Sequence, residues 1–161
     1  MRGSFADIAT AILIVVSMLV VLGVGWLVLS RVQAGFEQVA PEAAEAMEYG
    51  KSSLTAMGTA TTFVVIAFGV AAIILAYFVR THPIFAPLFF IIGSILIIVG
   101  AMMSNFAEQF ASQVAQEDAM FLDAFGTLVW LATRQPVWVA VMIFAVLVLT
   151  YVGKQAVEGV M

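Results

Sequence analysis

The sequence predicts an all-α integral membrane protein, a four-helix bundle in lipid with short amphipathic helices outside it. Three observations point to this class. Of 161 residues, 64% are apolar and 10% are charged, with a mean hydropathy of +1.14. Soluble domains carry roughly half apolar and about a quarter charged residues, so lipid is the expected solvent. The charges are also segregated, leaving Ile8–Ser30, Ser52–Val79, Pro83–Ala107 and Gln135–Gly153 with none. A bilayer core about 30 Å thick needs about 20 helical residues, and each run reaches or nearly reaches that length. The expected spans are about 8–30, 59–79, 84–104 and 136–153, with extramembrane helical segments at about 31–58 and 105–135.

The first run holds fourteen Ile, Leu or Val residues. At roughly −0.3 to −0.6 kcal/mol each, they favour insertion by about 4–8 kcal/mol. The run is far longer than the apolar region of a secretory signal, so it is expected to be an anchor helix. Asp7 and Arg31 flank it with the signs that suit a helix dipole. Trp26, near one edge, is expected to be an anchor at the headgroup level.

The next segment, APEAAEAMEYGK, starts a helix at Pro41 with acids in its first turns. Glu42, Glu45 and Glu48 share one edge, which reads as a solvated face; a calcium loop would place its carboxylates at alternating positions around a turn glycine. Gly50 and Gly58 weaken this helix without forbidding it. One long helix to Arg80, or a bend near Gly50, is expected. Along it Ser52, Thr55, Thr59, Thr62, Gly69 and Ala76 form a small-residue seam suited to close helix packing in lipid. A hydroxyl-lined conduit is the competing use.

Arg80-Thr81-His82-Pro83 separates two apolar runs. Arg80 suits a helix C-terminus and Pro83 forbids continuation, so the four residues read as a hairpin at the headgroup level. His82, the one histidine of the chain, has no acidic residue within twenty-five positions on either side, and a chemical role is not expected of it. In the third run Gly93 and Gly100 share a face, again suited to helix contact.

In NFAEQFASQVAQEDAMF, Phe106, Phe110 and Val114 share one helical face; further on, Phe121, Phe125 and Leu128 share another. Glu117-Asp118 would fall within the apolar face of a single helix. Two short amphipathic helices broken at that pair are therefore expected. Their faces carry acids and no base before Arg134, so Phe106, Phe110, Phe121 and Phe125 are expected to dock protein, or to fold back on the bundle, and not to bind anionic lipid. The last run begins near Pro136, with Trp138 and Tyr151 as expected interface anchors.

Four spans would place both termini on one side. Arg2, Arg80 and Lys154 then face Arg31, Lys51 and Arg134 across the bilayer. The basic residues tie, so they set no orientation; eight of the ten carboxylates lie on the side opposite the termini.

Without cysteine, disulfide and thiolate chemistry are excluded. The pI near 4.7, with no basic cluster, argues against nucleic acid as a partner. No phosphate loop, zinc-protease helix or nucleophile elbow occurs. The spans carry none of the ionisable residues that ion and proton translocators keep there. No enzyme activity, cofactor, metal or small-molecule substrate is expected. Two functions fit: a structural membrane protein that associates with itself or with other membrane or coat proteins, and an oligomeric, holin-like pore former lined by Ser52, Thr55, Thr59 and Thr62.

The organisation as a whole, with APEAAEAMEYGK and NFAEQFASQVAQEDAMF between uninterrupted spans, resembles the small multi-span membrane proteins of icosahedral viruses with an internal lipid membrane. The resemblance implies a helical protein of the virion vesicle that links membrane to coat, with its acidic segments facing coat proteins.

Overall fold

The computed structural model describes the backbone of residues 3–37, 39–78 and 86–158. The Arg80–Pro83 hairpin and the side chains of Ala76 and Tyr151 lie outside the described parts. The fold is all-α, with five helices and no strand among the described residues: α1 (Gly3–Phe36), α2 (Pro41–Phe78), α3 (Ala86–Glu117), α4 (Met120–Thr133) and α5 (Gln135–Glu158).

Local chemistry explains the breaks. α2 starts at Pro41, whose missing N–H costs nothing in a first turn, with Glu42 beside the positive helix end. It passes Gly50 and Gly58 as one helix of 38 residues. Ser53, Thr55, Thr59, Thr61 and Thr62 each donate a hydroxyl to the carbonyl four residues back, so these groups need no outside partner in an apolar surround. α3 ends at Glu117, and Asp118 Oδ1 accepts the backbone N–H of Met120 at 3.0 Å, turning the chain into α4. The break falls at the acidic pair, but the expected short helix before it does not exist as a separate element. Residues 105–117 continue α3 without interruption.

α1, α2 and α3 each hold a stretch long and apolar enough to cross a membrane: Ile8–Phe36, Pro41–Ala71 and Phe90–Glu117. The fourth candidate is a bent pair. Met120–Thr133 and Gln135–Leu149 meet at 55° across Arg134, with Pro136 in the first turn of α5.

The helices enclose two apolar clusters stacked along the bundle. In the upper one, Val15, Leu19, Leu22 and Trp26 of α1 meet Ala107, Ala111 and Val114 of α3 and Phe121, Phe125 and Leu128 of α4. In the lower one, Ile8 and Ile12 meet Leu96 of α3 and Val139, Met142 and Ile143 of α5. This register bears on the spans. Residues 107–132 do not lie beyond the apolar run of α1; they lie alongside its Val15–Trp26 portion. Gln135 Nε2 donates to the Ile12 carbonyl at 3.3 Å, which places the α4–α5 elbow beside the first third of α1.

The outer surface changes along the same axis. Around the lower cluster it is apolar: Ile66, Phe68 and Val70 on α2, Ile91, Ile95 and Ile98 on α3, and Val137, Val141 and Phe144 on α5 are all exposed. Around the upper cluster it is mixed: Glu45, Glu48, Glu108, Gln109 and Asp123 are exposed, and so are Val21, Val24, Val28, Phe106 and Leu122.

Candidate functional site

Polar side chains converge at the top of the bundle, on the turn between α3 and α4. The Asp118 carboxylate accepts the Trp26 indole N–H at 2.8 Å and the Ser30 hydroxyl at 2.7 Å, both on Oδ2. Lys51 Nζ lies 3.8 Å from the same oxygen and 4.9 Å from the centroid of the Trp26 ring. One turn of α1 supplies Trp26 and Ser30, α2 supplies Lys51, and the α3–α4 turn supplies the acceptor, so a single carboxylate ties three elements together. Beside it Arg31 pairs with Glu117 at 2.8 Å. That pair is exposed and contributes at most about 1 kcal/mol.

Burial opposes the charge on Asp118. The hydrogen bonds from Ser30, Trp26 and the Met120 backbone, with the nearby Lys51 charge, outweigh burial and hold its pKa below the ordinary aspartate value. The carboxylate thus stays ionised, with two hydrogen bonds on Oδ2 and one on Oδ1. That arrangement latches helices together. Among the described residues no group of three or more His, Cys, Asp or Glu side chains is placed to hold a metal.

Trp26 is not the lipid-interface anchor its position suggested. It is buried in the upper cluster and makes an edge contact with Phe125, centroids 5.5 Å apart. Trp138, the other described anchor candidate, is half-buried and donates its indole N–H to the Leu131 carbonyl across the elbow at 2.9 Å.

The expected docking aromatics divide. Phe121 and Phe125 are 0% and 2% exposed and belong to this chain's own core, so they cannot receive a partner. Phe110 is half-buried, its ring against Gly23, and Phe106 stacks on it at 6.4 Å while remaining exposed. The apolar face does fold back on the bundle, and only Phe106 is left outside.

The small-residue seam is also redrawn. Thr62 is buried and Gly69 contacts Met142 of α5, whereas Ser52 and Thr59 are exposed and Thr55 is half-buried. On α3, Gly93 faces Ile143, and Gly100 lies against the Gln135–Pro136 backbone. The tightest positions were not singled out. A Cβ on Gly58 would meet the Phe125 ring at 2.7 Å, and one on Gly23 would meet the Phe110 ring at 2.6 Å. The α2 seam is thus Gly58, Thr62, Val65 and Gly69: it keeps Thr62 and Gly69 of the expected line and takes Gly58 in place of Thr59. Thr59 and Thr62 do reach a cleft of about 340 Å³ between α2 and α4 that also includes Asp123 and Thr127.

No protein-family model, curated protein or solved structure matches the chain.

Proposed function

We propose that this chain is a non-enzymatic structural membrane protein, embedded by its lower half and presenting its upper half as a helical head to neighbouring proteins. The observation that carries this reading is the change in outer surface along the bundle, from an apolar girdle around the lower cluster to a mixed surface, around and above the upper one, that carries every exposed carboxylate among the described residues. Exposed carboxylates are costly in hydrocarbon, and exposed Ile, Phe and Val are costly in water. Under this placement the described lower half faces lipid, and the upper part of α1 is shielded by protein and not by acyl chains. The start of α1 and the end of α5 point to the side away from the head in this placement.

The docking surface in this reading is on α1. Val21, Val24 and Val28 lie on one face at the level of the acidic head, and each is about half exposed or more. Phe106 lies on the flank of α3 that turns to α1, where Phe110 meets Gly23 and Glu117 pairs with Arg31. Such an apolar strip among hydrated residues suits a protein neighbour. In a virion with an internal membrane the neighbour would be a coat protein or a second copy of this chain.

A photo-crosslinker at Val24 or Phe106, in native membranes or particles, is expected to capture a discrete protein partner, and one at Phe125 is expected to capture none. Lipid adducts alone at Val24 would refute the docking surface. The competing function is the oligomeric pore; a current in planar bilayers that responds to substitution of Thr59 would favour it.

A further inference from the structure

We propose that the α4–α5 elbow binds a phospholipid, with Arg134 holding the phosphate and the outer face of α5 taking an acyl chain. Three basic side chains are described, and two of them have a carboxylate: Arg31 has Glu117 and Lys51 has Asp118. For Arg134 no carboxylate lies within ion-pairing distance among the described residues. Its guanidinium instead lies over the exposed Trp130 ring, 5.5 Å from the centroid. The nearest carboxylate on the outer face of α4 is Asp123, about 16 Å away along the helix axis. An exposed guanidinium resting over an indole, with no carboxylate on its N–H groups, keeps its donor fork available to a phosphate.

What continues below Arg134 identifies the ligand. On α5, Val137, Val141, Phe144 and Val148 follow one another at alternating spacings of four and three, so they form one outward stripe that begins three residues past Arg134. Below the arginine every member is apolar, and Val137, Val141 and Phe144 are 61%, 62% and 69% exposed. From Arg134 to Val148 is about 21 Å of helix, more than the roughly 15 Å depth of one leaflet. A cation with an indole at the head of an apolar strip one leaflet deep matches a phospholipid end to end. A partner's carboxylate would satisfy the arginine and leave the strip uncovered. A free phosphate would do the same.

This inference rests on the lower half facing lipid, and the experiment separates the two. The full chain and its Arg134→Gln variant are reconstituted in vesicles and tested for resistance to alkaline extraction, with helix content compared by circular dichroism. Both are then titrated in mild detergent with phosphatidylglycerol, with diacylglycerol of the same chains, and with inorganic phosphate, and bound lipid is read by native mass spectrometry. Both proteins should resist extraction. The wild type should bind phosphatidylglycerol about tenfold or more tightly than the variant, the scale of a lost charge-assisted contact. Diacylglycerol should not distinguish them, and inorganic phosphate should compete only weakly. Extraction of both proteins would overturn the membrane placement and this site with it. Resistance to extraction with equal phosphatidylglycerol binding would overturn the site alone, as would inorganic phosphate competing as strongly as the lipid. An Arg134→Lys variant that recovers part of the binding would support a phosphate contact over a merely structural role.

Discussion

Replacing Asp118 with alanine should destabilise the head by roughly 3–5 kcal/mol. The Trp26 indole, 6% exposed, would lose its acceptor with no water to replace it, and an orphaned buried donor costs about 1–3 kcal/mol. The Met120 N–H would lose a hydrogen bond worth about 1 kcal/mol. Ser30 and Lys51 would each lose a partner, adding about 1 kcal/mol together because both retain some access to solvent. Asp118→Asn keeps a carbonyl oxygen for one or two donors and should cost about half as much. The assay is equilibrium unfolding in mixed micelles followed by circular dichroism. pH supplies a second signature. The folded-state pKa of Asp118 is depressed, so its contribution is complete above the ordinary aspartate value of about 3.9 and is lost as pH falls through the lower folded value. The stability gap between wild type and Asp118→Asn should therefore be flat above about pH 4 and narrow only below it. A cost under about 0.5 kcal/mol for alanine would refute the latch.

Two glycines in helices should respond with opposite sign. Gly58→Ala gains about 1 kcal/mol of helix propensity but forces a methyl into the buried Phe125 ring, for a net loss of about 1–2 kcal/mol; Gly126→Ala meets nothing within 4 Å and should gain about 0.5–1 kcal/mol. Equal shifts in micellar unfolding would contradict the packing described for α2 and α4. Gln135 is fully buried, its Nε2 donating to the Ile12 carbonyl and its Oε1 without a partner among the described residues, so Gln135→Met exchanges one hydrogen bond for the relief of one orphaned acceptor and should change stability by no more than about 1 kcal/mol. A loss larger than that, in the same assay, would mean that the amide oxygen is satisfied.

Fold class was legible because hydropathy and length decide whether a helix suits lipid, and both are sums over residues. The turn at Glu117–Asp118 was legible for a local reason: two acids on an apolar face cannot continue that face. The lateral register of the helices was not. Residues 8–30 of α1 are as apolar as any lipid-spanning helix, and a hydropathy window cannot say whether acyl chains or Phe121 and Phe125 cover them. The same ambiguity sent Trp26 to the membrane interface, because an indole near the end of an apolar run looks alike whether its N–H meets a lipid carbonyl or Asp118, 92 residues away. In the seam, hydroxyl residues drew attention by their periodicity. Gly58 and Gly23 matter through the aromatic rings that press on them from other helices, and one helix read by itself holds no signal of that.

Three of the five described helices run unbroken, with 34, 38 and 32 residues; α1 and α3 feed both stacked clusters, and α2 packs on the upper one and reaches the lower through Gly69 against Met142. Among the described residues no break separates the two regions on those three helices, whereas the fourth column bends at the elbow. If the lower half is embedded as proposed, head and base would move as one lever, and a neighbour that gripped the head would also set the tilt of the rods below it. Force applied at one end reaches the other without a joint to absorb it, which suits an element whose task is to hold two layers in fixed alignment.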